Sequence, residues 1–215
     1  MNLDFLHSAL LIIDVQRDFC PGGTLPVRDG EKVIEPINHL SSVFSSRSGI
    51  VCATQDWHPE NHVSFASSHA DRKPGETIDT SLVKDQILWP DHCVQGKAGA
   101  EFCEGLGIKP VNFILRKGFR KDLDSYSAFF ENDRKTPTGL DGLLRALSVD
   151  TLVLCGLATD YCVYYSAMDS ITLGYKTIVA GDAVRGVDYP AGSVEKAISS
   201  LEKAGVIIIT SGDLQ

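Results

Sequence analysis

The sequence predicts an α/β fold: a doubly wound, mainly parallel six-stranded sheet with helices on both faces. Three observations lead there. Short apolar runs alternate with helix-patterned segments; the runs are continuously apolar rather than alternating with polar residues; and the rhythm breaks at only two long irregular stretches. Continuous apolarity marks strands buried on both faces, the condition of a parallel sheet layered between helices. Ligands of such sheets bind beyond the carboxyl ends of the strands, so candidate chemistry is sought there.

Taken in order, the apolar runs predict strands over 9–15, 49–54, 111–116, 151–156, 176–180 and 206–210. Helical patterns between them fall at 31–46, 139–147, 160–173 and 190–203, within an overall count of about six strands and five helical segments. The interruptions are 55–107 and 118–138. Long irregular connections inside a compact domain are usually functional or disordered. The first holds Trp57, His58, His62, Phe65, His69, Trp89 and His92, too many aromatic and histidine side chains for a disordered linker. It is expected to be an ordered wall or lid inserted into a single domain spanning 1–215.

With 215 residues, 43% hydrophobic and 22% charged, the chain can bury one sizeable core. Lys plus Arg at 20 against Asp plus Glu at 28 gives a formal charge of -8, which disfavours phosphate backbones and anionic lipid surfaces. Neither nucleic acid nor membrane is therefore an expected partner. No apolar run reaches the roughly 18 residues that span a bilayer, and the first residues carry no basic segment of a signal peptide. A soluble, cytoplasmic protein is expected, with homo-oligomers left open. Six cysteines (Cys20, Cys52, Cys93, Cys103, Cys155, Cys162) form no Cys-x-x-Cys pair, so no disulfide framework is expected. Cys52 and Cys155 sit inside apolar runs and read as core.

Strand ends carry the chemistry. Asp14 closes the first run in Leu11-Ile12-Ile13-Asp14-Val15-Gln16, where a partly desolvated carboxylate suits proton transfer, although a turn aspartate would look the same. Lys117 ends the run Val111-Asn112-Phe113-Ile114-Leu115-Arg116 and could pair with Asp14 or stabilise an anion; alone, it would read as a solvated charge. Cys162 follows a strand by a tight link and falls in the first turn of the next helix, with Thr159 or Asp160 as N-cap. Backbone N–H groups and the positive end of the helix dipole there favour a thiolate nucleophile and can hold an oxyanion; the bland alternative is a buried structural thiol. Asp56 and His58 project to one side of extended chain and form part of a site for a divalent cation, completed by one of His62, His69 or His92, among which spacing does not choose. No Gly-x-Gly-x-x-Gly, phosphate loop, His-Glu-x-x-His or Gly-x-Ser-x-Gly occurs, which removes support for dinucleotide, nucleotide triphosphate, metalloprotease and serine hydrolase readings.

The segments Asp14-Val15-Gln16-Arg17-Asp18-Phe19-Cys20 with Pro21-Gly22-Gly23, Asp56-Trp57-His58-Pro59, Trp89-Pro90-Asp91-His92-Cys93-Val94, Arg116-Lys117-Gly118 and Gly156-Leu157-Ala158-Thr159-Asp160-Tyr161-Cys162-Val163 stand in this order. Together they resemble the nicotinamidases, also called pyrazinamidases, of the isochorismatase-like cysteine hydrolases. The resemblance implies Cys162 as nucleophile, Asp14 as general acid and base, and Lys117 as their cationic partner. It further implies one divalent metal ion, zinc first with iron or manganese as alternatives, on Asp56, His58 and His92, with His62 at a position that is a ligand only in some relatives. Phe19 and Trp89 match aromatic walls for a pyridine ring, with Tyr126 nearby; Tyr161 stands where some relatives carry histidine. A cis peptide at Leu157-Ala158 is implied as well, aiming the Ala158 N–H with that of Cys162 at an oxyanion. The implied activity is hydrolysis of nicotinamide, and of pyrazinamide, to the acid and ammonia through a cysteine thioester, in NAD salvage. A metal-independent relative acting on a carbamoyl, ureido or vinyl-ether substrate is the alternative, and would have no use for Asp56, His58 and His92 together.

Overall fold

The computed structural model describes residues 1–214. Its strands are β1 Ser8–Ile13, β2 Ile50–Asp56, β3 Thr77–Ile78, β4 Gln86–Ile87, β5 Phe113–Lys117, β6 Thr151–Leu157, β7 Lys176–Arg185 and β8 Ile207–Ile209. Its α-helices are α1 Ile34–Ser46, α2 Leu140–Ala146, α3 Tyr164–Thr172 and α4 Ser193–Lys203. Six strands form one sheet in the order β5-β2-β1-β6-β7-β8, every neighbouring pair parallel. β3 and β4 make a separate antiparallel pair inside the 55–107 insertion. The described residues form four α-helices, with short 3-10 helices and a π-helical turn besides.

Alternation along β1 divides the core. Leu10 and Ile12 face the side covered by α1, where Ile37, Leu40 and Phe44 recur at helical spacing; Ala9, Leu11 and Ile13 face the other, under Leu140 and Leu144 of α2, Ala167 of α3 and Leu201 of α4. Helices thus cover both faces of strands whose side chains are buried throughout. Phe44 is fully buried, and truncating such a ring costs about 3–5 kcal/mol.

Three expectations need correction. The run 111–116 forms β5, an edge strand, with Phe113 and Ile114 exposed; it pairs with β2 alone, so its apolarity does not reflect two-sided burial. The helix expected from 160 begins as a π-helical turn over Thr159–Val163 before α3, and no side chain caps it: Asp160 instead accepts from Val187 N, Asp188 N and Ser193 Oγ. Cys20 and Cys103 form a disulfide across 83 residues. Backbone pairing brings them together, Arg17 N–H donating to Glu101 O and Cys103 N–H to Val15 O, a proximity that sequence spacing does not encode.

The chain leaves β1 for β2 and β5 in one direction and returns through β6 to β7 and β8 in the other. That reversal, between β1 and β6, opens a crevice at the carboxyl ends of the strands. Asp14 follows β1, Asp56 ends β2, Lys117 ends β5 and Cys162 follows β6, so the topology alone converges all four.

Candidate active site

Asp14 has a left-handed backbone, φ 48°, and is held on both sides by Thr54: its N–H donates to Thr54 Oγ1, whose hydroxyl donates to Asp14 Oδ1 at 2.6 Å. The other oxygen, Oδ2, lies 2.8 Å from Lys117 Nζ in a buried ion pair. Lys117 also donates to Asp56 Oδ1 at 2.5 Å, to Ser125 O at 2.8 Å and to Cys162 Sγ at 3.5 Å. Ligand atoms of Asp14, Asp56 and Cys162 lie within 4.8 Å of one another.

Burial alone would push the Lys117 ammonium down, but Asp14 and Asp56 outweigh it and hold the group well above the ordinary lysine range. Burial also pushes the Cys162 thiol well above its usual value, with Lys117 opposing. The sequence pointed to a thiol lowered by the helix dipole; removal from water outweighs that dipole at this depth. Sulfur therefore rests protonated, beside the Asp14 carboxyl.

Gln16 fixes Asp56 from behind, its amide donating to Asp56 O and accepting from Asp56 N–H, each at 2.8 Å. His58 Nδ1 donates to Gly118 O at 2.9 Å and His92 Nδ1 to Pro90 O at 2.7 Å, so both Nε2 atoms keep lone pairs free for a metal. Gly118 is obligatory there: at φ 61° a Cβ would stand 2.5 Å from His58 Cε1. Burial pushes both imidazoles down, keeping them neutral, as ligation requires. The charge balance agrees. Asp14 and Asp56 are both buried against Lys117, and burial pushes the Asp56 carboxyl up, an effect that a divalent cation held on it would oppose.

Asp56, His58 and His92 offer ligand atoms within 4.8 Å of one another. His62 sits differently. It stacks on His58 with ring centroids 4.3 Å apart, its Nδ1 facing Ser64 Oγ and its Nε2 facing Leu123 O, and it shares a second donor group with His58 and Asp124 rather than joining the first. His69 turns to Val63 O.

Phe19, Trp89, Tyr126, Tyr161, Ala158 and Cys162 line one cavity with Asp56 and His92. Leu25, Val187 and Asp124 complete it, and no local pattern marks them in the chain. Leu157-Ala158 is a cis peptide. Asp18, also unforeseen as a support, accepts from Cys93 N–H at 2.7 Å and Thr24 N–H at 3.2 Å, tying the loop of Phe19 to the residue after His92. Only its place in a motif beside Phe19 could have drawn notice.

The isochorismatase domain matches residues 8–213. The chain is 42% identical over 208 residues to the nicotinamidase of Acinetobacter baylyi, covering 97% of this chain and 94% of that one. Among solved structures, a nicotinamidase and pyrazinamidase of Acinetobacter baumanii superposes with a TM-score of 0.93 at 45% identity, over 99% of this chain and 100% of that one. The pyrazinamidase of Pyrococcus horikoshii, solved in complex with zinc, has a TM-score of 0.77 at 33% identity, over 95% and 99%. With the strand-end residues and the fold in agreement with these matches, the chain belongs to the isochorismatase family, in its nicotinamidase branch.

Proposed function

We propose that the protein hydrolyses nicotinamide to nicotinate and ammonia through a thioester on Cys162. The observation that carries this is the meeting of Cys162, Asp14 and Lys117 in one buried spot, beside two neutral imidazoles and a carboxylate, with Cys162, Asp56 and His92 reaching a cavity walled by aromatic rings. The similarity to nicotinamidases supports the substrate.

Phe19, Trp89 and Tyr161 suit a flat heteroaromatic ring, since aromatic contacts add about 0.5–1.5 kcal/mol beyond burial. Asp56, His58 and His92 would hold a divalent metal ion, which when bound supplies a Lewis acid for the pyridine nitrogen and so fixes the ring. Zinc, iron(II) and manganese all suit one carboxylate and two imidazoles, and the zinc complex of the Pyrococcus horikoshii relative favours zinc.

Asp14 Oδ2 takes the Cys162 proton as sulfur attacks the carboxamide carbon. The new oxyanion accepts hydrogen bonds from the Ala158 and Cys162 N–H groups. Asp14 returns its proton to the amide nitrogen, the C–N bond breaks and ammonia leaves. Asp14 next takes a proton from water, whose oxygen attacks the thioester; the C–S bond breaks, Asp14 returns that proton to the departing sulfur, and the thiol is restored as nicotinate forms. Lys117, 2.8 Å from Oδ2, holds the Asp14 carboxyl in place for these transfers. Pyrazinamide presents the same carboxamide on a diazine ring and is the expected second substrate. No helix among the described residues is long and apolar enough to cross a membrane, which is in keeping with a cytoplasmic salvage enzyme.

The test is nicotinate and ammonia release from nicotinamide by the purified protein, before and after chelation and after metal is restored. Equal amounts of both products, lost on chelation and regained with metal, are expected. Absence of products in every metal state rejects the substrate; full activity after verified metal removal rejects the metal's part.

A further inference from the structure

Gln86 lies in the two-residue strand β4, behind the cavity rather than in it, and is 2% exposed. Its amide joins groups that do line the cavity. Nε2 donates to Asp124 Oδ2 at 3.0 Å and to the backbone O of Ile87 at 2.9 Å, with the Tyr126 hydroxyl 3.4 Å away. Oε1 accepts from Asn132 Nδ2 at 3.1 Å. Asp124 Oδ2 takes the amide nitrogen and Asn132 Nδ2 takes the amide oxygen, which together fix which end of the amide faces which partner.

Asn132 closes the same circuit from the far side, its Oδ1 accepting from Tyr126 N–H at 2.9 Å and its own N–H donating to Asp124 O at 2.7 Å. Tyr126 in turn receives Trp89 Nε1–H at 3.1 Å. One buried amide thereby couples two aromatic walls to a carboxylate whose Oδ1 stands 3.9 Å from His58 Nε2.

We infer that Gln86 is a positioning residue for the ring of the substrate: it holds Asp124, Tyr126 and, through Tyr126, Trp89 in a single arrangement that receives a flat heteroaromatic carboxamide. This rests on the reading of the cavity as the nicotinamide site. A side chain of similar size without the amide would keep the fold's packing but leave Asp124 Oδ2 buried without its donor and Tyr126 and Trp89 free to shift. Gln86 touches none of the reacting atoms, so its loss removes binding shared by ground and transition states and falls on KM.

The experiment compares kcat and KM for nicotinamide, with metal content, in the metal-loaded wild type and the variants Gln86→Leu, Gln86→Glu and Asn132→Ala. Expected is a KM raised about tenfold in Gln86→Leu, the equivalent of losing one hydrogen bond to a charged group, with kcat within about threefold and metal content unchanged. Gln86→Glu keeps the acceptor for Asn132 but sets a second carboxylate against Asp124, and should raise KM further. KM within about twofold of wild type in both Gln86 variants, or a fall confined to kcat, overturns the inference. Should the Gln86 variants not fold, Asn132→Ala decides: a KM raised about threefold supports the circuit and an unchanged KM overturns it. A wild type that releases no nicotinate would instead reject the nicotinamide reading itself, and the inference with it.

Discussion

The Lys117 ammonium lies 2.8 Å from Asp14 Oδ2, and both side chains are sealed from solvent. Asp56 Oδ1 stands at 2.5 Å from the same nitrogen, so one cation serves two carboxylates to which the proposed mechanism gives different tasks, proton transfer and metal holding. Burial pushes the Asp56 carboxyl up, and the lysine is the main opposing influence.

Lys117→Met is therefore expected to damage both function and fold. Two buried carboxylates would lose the cation they share, a defect that costs about 3–5 kcal/mol when one partner of a buried pair is removed. Turnover of nicotinamide should fall by about 10²-fold or more. Denaturation midpoints and steady-state rates check both effects; a variant of wild-type stability and rate would show that the lysine is dispensable.

Glu131 supplies a pH test outside the catalytic groups. It is buried, Oε1 stands 3.6 Å from Arg120 Nε, and Oε2 has no hydrogen-bond partner. Burial pushes its carboxyl up to about 7, from an ordinary 4.5. Between these values the folded protein binds the extra proton, so this group's contribution to stability is fully present below 4.5 and is lost as pH rises through about 7. Glu131→Gln should raise Tm by a few degrees, about 2–4 °C per kcal/mol for a chain of this size, at pH 8 and by clearly less at pH 5. Equal shifts at the two pH values, measured by thermal melting, would contradict the assignment.

The disulfide makes a countable prediction. With Cys20 and Cys103 joined, the remaining four cysteines, Cys52, Cys93, Cys155 and Cys162, are free. Thiol titration of the protein unfolded without reductant should find those four per chain, and reduction should release the other two. Replacing Cys20 with Ser should lower stability by about 2–4 kcal/mol, because the bond closes a long loop. Six reactive thiols before reduction would show the pair to be open.

How much of this could be read from the residues depends on whether the signal is local. Strands β1, β2 and β6 declare themselves as apolar runs because both faces are buried, and Asp14, Asp56 and Cys162 are placed by being next to their ends. β5 misleads, since Phe113 and Ile114 are apolar yet exposed at the sheet edge. Gln16, Asp18, Gln86 and Asp124 look like ordinary polar residues in the chain; each acts through partners 38 to 75 positions away, as in Gln86 with Asp124, Gln16 with Asp56 and Asp18 with Cys93. The choice among His62, His69 and His92 is likewise tertiary. Backbone carbonyls of Pro90 and Gly118 free the Nε2 lone pairs of His92 and His58, while His62 is turned toward Ser64 and Leu123. The Cys162 thiol shows the same limit in electrostatics: a helix start is legible in sequence, the depth of its burial is not.

Nicotinate formation by metal-loaded Cys162→Ala, beside the wild type under identical conditions, tests the covalent account most directly. A fall of about 10³-fold or more, with the fold and metal content retained, is predicted. Turnover within about tenfold of wild type would contradict the thioester and leave Asp14 and Lys117 acting on water instead.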